Sequence, residues 1–178
     1  MRLFIGIEIP LEVRQAVHDF LVPMQTSPKG WERLHDYHQT LLFIGEVESE
    51  SLTVVQERLR AIQITPFELQ TSGFRFFNRR IMYLGFQSSR ELTVLKTEVD
   101  TRFSEWINPR SKPFTPHVTV KRWQRYEHDH LVEGINSRTF PSISFTVNGI
   151  SLFKAEKDSE GNKYHVMGTS RSNDGGLR

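Results

Sequence analysis

The feature that most constrains this chain of 178 residues is a pattern that occurs twice: His38-Gln39-Thr40-Leu41 and His117-Val118-Thr119-Val120, each opening an apolar, β-prone run. On a strand, side chains alternate between faces, so a histidine and a threonine two residues apart share one face while their neighbours pack on the other. Each copy therefore offers an imidazole beside a hydroxyl. Two such strands converging on one cleft supply a general base, a general acid and two neutral donors, the set that metal-free cleavage of a phosphodiester requires. The second copy is further marked by Pro113-Phe114-Thr115-Pro116, whose prolines favour an extended approach to the strand.

Strand and helix signals alternate around these motifs with no low-complexity linker between them. Residues 2–9 read as a strand, and residues 11–24 as a helix with Val13, Val17, Phe20, Leu21 and Met24 at helical spacing. After the first motif strand, residues 50–62 carry a helical apolar stripe of Leu52, Val55, Leu59 and Ile62. Two strands, 67–77 and 81–86, are joined by the polar turn Asn78-Arg79-Arg80, and residues 91–106 return to helix. A turn-rich connection delivers the second motif strand. Residues 127–135 read as a short helix, 143–155 as one long strand and 162–169 as its hairpin partner. Residues 170–178, with Gly175-Gly176, have nothing to bury and are expected to form a disordered tail behind a single domain of residues 1–169. Each motif follows a helix and a loop, which points to an α+β domain of two lobes related by a pseudo-twofold, with the site in the groove between them.

Composition bounds the chemistry. Zero cysteines exclude disulfides, thiolate nucleophiles and Cys-based zinc sites, and fit a cytoplasmic location. At 37% hydrophobic and 25% charged residues, no apolar run approaches the ~18 residues of a membrane helix, so no membrane association is expected. Glu8 and Pro10 cut the first apolar run short of a signal-peptide core, and the run reads as the first strand. A net charge of +2 permits a nucleic-acid partner without demanding one.

The motif pair resembles the twin signature of the 2H phosphoesterases, and more narrowly that of the bacterial and archaeal RNA 2′,3′-cyclic phosphodiesterases, also called 2′-5′ RNA ligases. Supporting stretches are the opening Arg2-Leu3-Phe4-Ile5-Gly6-Ile7-Glu8-Ile9-Pro10, the continuation Leu41-Leu42-Phe43-Ile44-Gly45-Glu46-Val47, and Pro113-Phe114-Thr115-Pro116-His117. The resemblance covers nearly all of the chain. It implies a bilobal fold of two antiparallel sheets, with flanking helices, around a central cleft, and a monomer without cofactor or metal. The implied activity is hydrolysis of RNA 2′,3′-cyclic phosphate ends, tRNA halves among them, to a 2′-phosphomonoester. His38 is then the acid that protonates the leaving 3′-oxygen and His117 the base that activates water. Thr40 and Thr119 are carried over as phosphate-binding hydroxyls, and Arg122, five positions after the second histidine, as a phosphate-binding guanidinium. The same pair could also support reversible 2′-5′ ligation.

Other readings stay open at this point. Strict alternation puts Arg122 on the face opposite His117 and Thr119, so its role needs the strand to twist or end by Lys121, the fallback donor. A metal reading would use His35, His38 and the trio His128-Asp129-His130, although the trio reads more simply as a solvated loop. His18 and His165 have no partners in sequence and read as structural or exposed. Arg79 and Arg80 could reach RNA phosphates but fit a solvated turn. Phe4, Phe43 and Phe153 could stack on a base, although core packing suits most of them better. No Gly-x-x-x-x-Gly-Lys-Ser/Thr loop and no Lys-x-Asp-Gly motif is present, so ATP-dependent ligation is not expected. Alternatives to RNA-end hydrolysis are a non-catalytic RNA-binding module of the same fold and a phosphodiesterase of a small cyclic nucleotide.

Overall fold

A computed structural model describes residues 1–25, 29–78, 80–108, 113–123, 129–158 and 161–172. In chain order the elements are β1 (Arg2–Glu8), α1 (Leu11–Leu21), β2 (His38–Glu46), α2 (Leu52–Arg60), β3 (Phe67–Phe77), β4 (Ile81–Phe86), α3 (Arg90–Arg102), β5 (His117–Arg122), α4 (Asp129–Asn136), β6 (Ser144–Val147), β7 (Gly149–Asp158) and β8 (Gly161–Arg171). The strands lie side by side in the order β6-β3-β4-β5-β2-β1-β7-β8, and every pairing is antiparallel. The two sheets expected of the fold are the halves β6-β3-β4-β5 and β2-β1-β7-β8, which meet where β2 touches β5 through the pair Gln39 and Val118. This is an α+β architecture with an approximate twofold relating the halves, and it places both motif strands at its centre.

Helices tie the halves together because α1 and α3 each lie in sequence between two strands of one half and pack on a strand of the other. From α1, between β1 and β2, Phe20 stacks on Phe74 of β3 at 5.4 Å between ring centres and meets Phe140 edge-on at 5.3 Å. Conversely α3, between β4 and β5, packs on β2, while α2, which follows β2, packs on β7 and β8 of the same half. The apolar stripes explain this docking: Val13, Val17 and Leu21 of α1, Val55 and Leu59 of α2, and Leu92, Leu95 and Val99 of α3 are all buried. Ser89 caps α3 by accepting from the Leu92 amide at 3.1 Å. No helix among the described residues is long and apolar enough to cross a membrane.

Several element boundaries differ from the sequence expectation, each for a local reason. The strand expected over residues 143–155 is two, broken at Asn148, because β6 pairs with β3 in one half and β7 with β1 in the other. Residues 22–24 close the first helix as a 3-10 turn, where Pro23 lacks the amide needed to continue an α-helix. Residues 49–51 and 104–106 are likewise 3-10 turns flanking shorter α-helices than expected. The tail does not begin at Ser170: β8 continues to Arg171, and buried Ser170 donates its hydroxyl to the Ile62 carbonyl at 2.7 Å. The expected tail beyond that, residues 173–178, lies outside the described residues.

Strand β1 is the hub of its half, paired on one side with β2 and on the other with β7. Ile5 in its middle is 0% exposed. Truncating it to alanine leaves a cavity between sheet and helices, so Ile5→Ala is expected to lower unfolding free energy by about 2–5 kcal/mol in urea titration.

Candidate active site

The β2–β5 contact sets the site. Gln39 and Val118 face each other across the seam with their side chains buried, and the residues flanking them share the opposite face. Continuing that antiparallel register sets His38 across from Thr119 and Thr40 across from His117, so the histidines occupy one diagonal and the threonines the other. Diagonal neighbours of this kind lie about 7–8 Å apart in a sheet. All four side chains line one cleft of about 720 Å³, together with Arg122, Phe43 and Tyr164. The five site residues expected from the sequence are thereby brought together.

Each imidazole is held in the same way. His38 Nδ1 lies 2.6 Å from the Asp36 carbonyl oxygen, and His117 Nδ1 lies 2.7 Å from that of Thr115. A carbonyl can only accept, so Nδ1 carries the hydrogen in both rings and the neutral imidazole offers Nε2 as a proton acceptor. Aromatic rings fix the ring planes. His38 packs against Phe4 at 4.6 Å and edge-on to Tyr164 at 4.8 Å, while His117 meets Phe77 at 5.0 Å and Tyr83 at 5.4 Å. Burial among these rings pushes His38 down to about 4, opposed by the Asp36 carbonyl and carboxylate and aided by Arg122 and His117. His117 is lowered too, chiefly by burial, against its bond to Thr115 and with help from Arg122. Burial, with the Glu32 charge, pushes Tyr164 up to about 12, so its phenol stays protonated beside His38.

A bulge resolves the alternation problem at Arg122. Opposite β4, Tyr83 pairs with Thr119 and Met82 with Lys121, so Val120 is the extra residue. Val120 and Lys121 are consecutive buried residues, and the strand returns to the cleft face at Arg122 one residue out of phase. The fallback donor Lys121 is accordingly turned away from the cleft: its ammonium donates to the Lys29 carbonyl at 2.7 Å and sits 4.4 Å from the Trp31 ring centre. Strand β2 repeats the device, with Leu41 and Leu42 both buried and Phe43 returning to the cleft. Phe43 thus stands where the twofold-related strand has Arg122.

Phe43 is 64% exposed, whereas Phe4 and Phe153 are buried and stacked on each other at 4.8 Å. Arg80 is exposed and lines the cleft. Arg79 lies outside the described residues. His35 is exposed beside Asp36 at 3.7 Å, and His165 pairs with Glu156 at 3.3 Å. His128 lies outside the described residues. Sequence reasoning missed Tyr164, Phe77 and Tyr83, which hold the imidazoles, and Glu32, whose carboxylate accepts from Arg122 Nε at 2.8 Å. No local pattern marks these four, since each reaches the site through long-range pairing.

A cleft between twofold-related half-sheets, with an imidazole and a hydroxyl on each wall, has the architecture of a 2H phosphoesterase. The profile of the 2′-5′ RNA ligase superfamily matches residues 11–159, and the chain belongs to that superfamily. The RNA 2′,3′-cyclic phosphodiesterase of Thermotoga maritima is 27% identical over 177 residues, spanning 94% of this chain and 93% of its own. That of Archaeoglobus fulgidus is 31% identical over 131 residues, or 70% of this chain and 74% of its own. The fold is that of Escherichia coli LigT, whose crystal structure complexed with 3′-AMP aligns at a TM-score of 0.78 and 22% identity, over 97% of this chain and 98% of that one.

The lowered imidazoles have a consequence for stability. A histidine whose folded pKa lies below its unfolded 6.5 binds fewer protons when folded, so stability falls as pH drops from about 6.5 towards 4. For His38 that shift corresponds to ~3 kcal/mol at most. Chemical denaturation between pH 7 and pH 4 is expected to show this loss, and a His38→Gln variant to show a shallower one.

Proposed function

We propose that the chain hydrolyses 2′,3′-cyclic phosphate ends of RNA by acid–base catalysis between His38 and His117, without a metal ion. The observation that carries this reading is the diagonal of two imidazoles, each tied through Nδ1 to a backbone carbonyl and presenting Nε2 to one cleft. In-line displacement at phosphorus needs proton acceptor and proton donor on opposite sides of the phosphate, and a diagonal offers that arrangement. His117 takes a proton from water as its oxygen attacks phosphorus. The bond from phosphorus to the 3′-oxygen breaks, and His38 returns a proton to that oxygen, leaving a 2′-phosphomonoester and a 3′-hydroxyl. Thr40, Thr119 and Arg122 take the non-bridging oxygens, where charge builds.

The RNA 2′,3′-cyclic phosphodiesterases among its relatives support an RNA substrate, and the cleft suits it: exposed Phe43 presents an aromatic face to a base, and Arg80 adds a cation at the rim. A tRNA half and a small cyclic nucleotide present the same reacting group. With an RNA 5′-hydroxyl in place of water, the same proton transfers form a 2′-5′ linkage. One chain supplies both motifs, so a monomer suffices, and we assign its action to the RNA of the cytoplasm.

A second reading exchanges the two histidines. The lowering of His38 by burial favours it, because a ring pushed down to about 4 is neutral near pH 7 and so starts with Nε2 ready to accept a proton. Product identity separates the two: with the substrate in one orientation, His38 as acid gives a 2′-phosphate and the exchanged roles a 3′-phosphate.

Turnover of a nucleoside 2′,3′-cyclic phosphate in excess EDTA tests the proposal, and no product at any pH would leave only a binding module. His38→Ala and His117→Ala are each expected to lower kcat by roughly 10²-fold or more, and near-full activity in either would sink the mechanism. Because both imidazoles sit below 6.5, the kcat/KM profile is expected to be a bell centred on the acid side of that value.

A further inference from the structure

Residues 29–32 belong in sequence to the connection between α1 and β2, yet they lie against the end of β5 in the other half. Trp31 and Lys121 form an antiparallel bridge. The Glu32 amide donates to the Val120 carbonyl at 3.0 Å, and the Arg122 amide donates to the Gly30 carbonyl at 2.7 Å. Gly30 has φ +81°, and a Cβ there would stand 2.2 Å from the Arg122 carbonyl oxygen, so the approach requires glycine for both conformation and space. Lys121 Nζ closes the contact onto the Lys29 carbonyl. This segment is therefore a strap laid on the two residues that follow the β5 bulge.

At its end, Glu32 Oε1 accepts from Arg122 Nε at 2.8 Å, with the glutamate side chain 12% exposed and the arginine 47%. Guanidinium is a planar fork whose Nε and Nη donors point in fixed directions. Holding Nε on a carboxylate anchored by its own backbone fixes the roll of that plane and leaves the Nη donors for an anion in the cleft. We propose that Glu32 is a positioning residue that aims Arg122 at the substrate phosphate. This rests on the phosphate-binding role given to Arg122 above.

Two opposing effects make the proposal testable. As a neighbouring negative charge, Glu32 weakens phosphate binding; as an aiming group, it strengthens binding. Calorimetric titration of the full chain with a nucleoside 2′-monophosphate, alongside kcat/KM on the cyclic substrate, reads both. Glu32→Ala is expected to weaken binding and kcat/KM about tenfold, within the roughly 10²-fold that misplacing a binding group can cost. Glu32→Gln, which keeps an acceptor for Nε but loses the charge, is expected to recover most of that loss. In an Arg122→Ala background, Glu32→Ala is expected to have no further effect. Tighter binding in both single variants would reduce Glu32 to a charge neutraliser and overturn the proposal. So would an equal tenfold loss with Arg122 already removed, the mark of a general structural role. Unchanged binding in Arg122→Ala alone is a different signature: it overturns the phosphate role of Arg122 and the strap's purpose with it.

Discussion

The backbone contact between β2 and β5 at Gln39 and Val118 is the constraint on which the rest of the site depends. Both strands begin at their histidine, so the seam runs through the motifs themselves. Shifting either strand by one residue would turn its imidazole and hydroxyl into the helix-covered core and bring Gln39 or Val118 into the cleft. The register cannot rest on so short a ladder alone. It is held by helices that cross over, α1 beneath β3 and α3 beneath β2, so that moving one half-sheet against its partner would expose the apolar faces of both.

From that seam, two nearly equivalent strands acquire different functions through one position each. Both leave their motif through two consecutive buried residues, and both bring the fifth residue after the histidine back to the cleft. In β2 that residue is Phe43, and in β5 it is Arg122. A shared backbone device with an aromatic on one wall and a cation on the other breaks the twofold, an asymmetry that suits the proposed substrate with its flat base on one side and its anion on the other. Anchoring is also one-sided, since Arg122 has Glu32 and the residue 29–32 strap.

What could be read from the sequence was whatever local periodicity encodes. The two His-x-Thr strands, the boundaries of β3 and β4 and the apolar stripes of the helices all follow from spacing within a few residues. Residue resemblance added Arg122, which alternation alone would have rejected. The bulge that rescues it is invisible in sequence, because Val120 and Lys121 look like an ordinary apolar–polar alternation until Trp31 draws the lysine under its ring. Tyr164, Tyr83 and Glu32 reach the site only through strand pairing over long separations. The break at Asn148 has the same origin: a continuous β-prone run says nothing about the chain changing partners from β3 to β1.

In the proposed mechanism the electrostatics of the cleft decide how one proton is shared between two similar rings. Burial and the Arg122 charge lower both imidazoles, and protonating one further disfavours the other, so both are largely neutral at pH 7. A phosphodiester anion between them reverses the sign of the nearest charge. It raises both rings, and mutual repulsion then admits one proton more easily than two. In the proposed mechanism the substrate anion thereby favours the half-protonated state that displacement needs, which an uncharged ligand of the same shape would not do. Arg122 opposes this by lowering the same rings, so its guanidinium must be spent on the phosphate rather than left facing the histidines. In the positioning role proposed for it, Glu32 holds Nε and leaves the Nη donors to the anion.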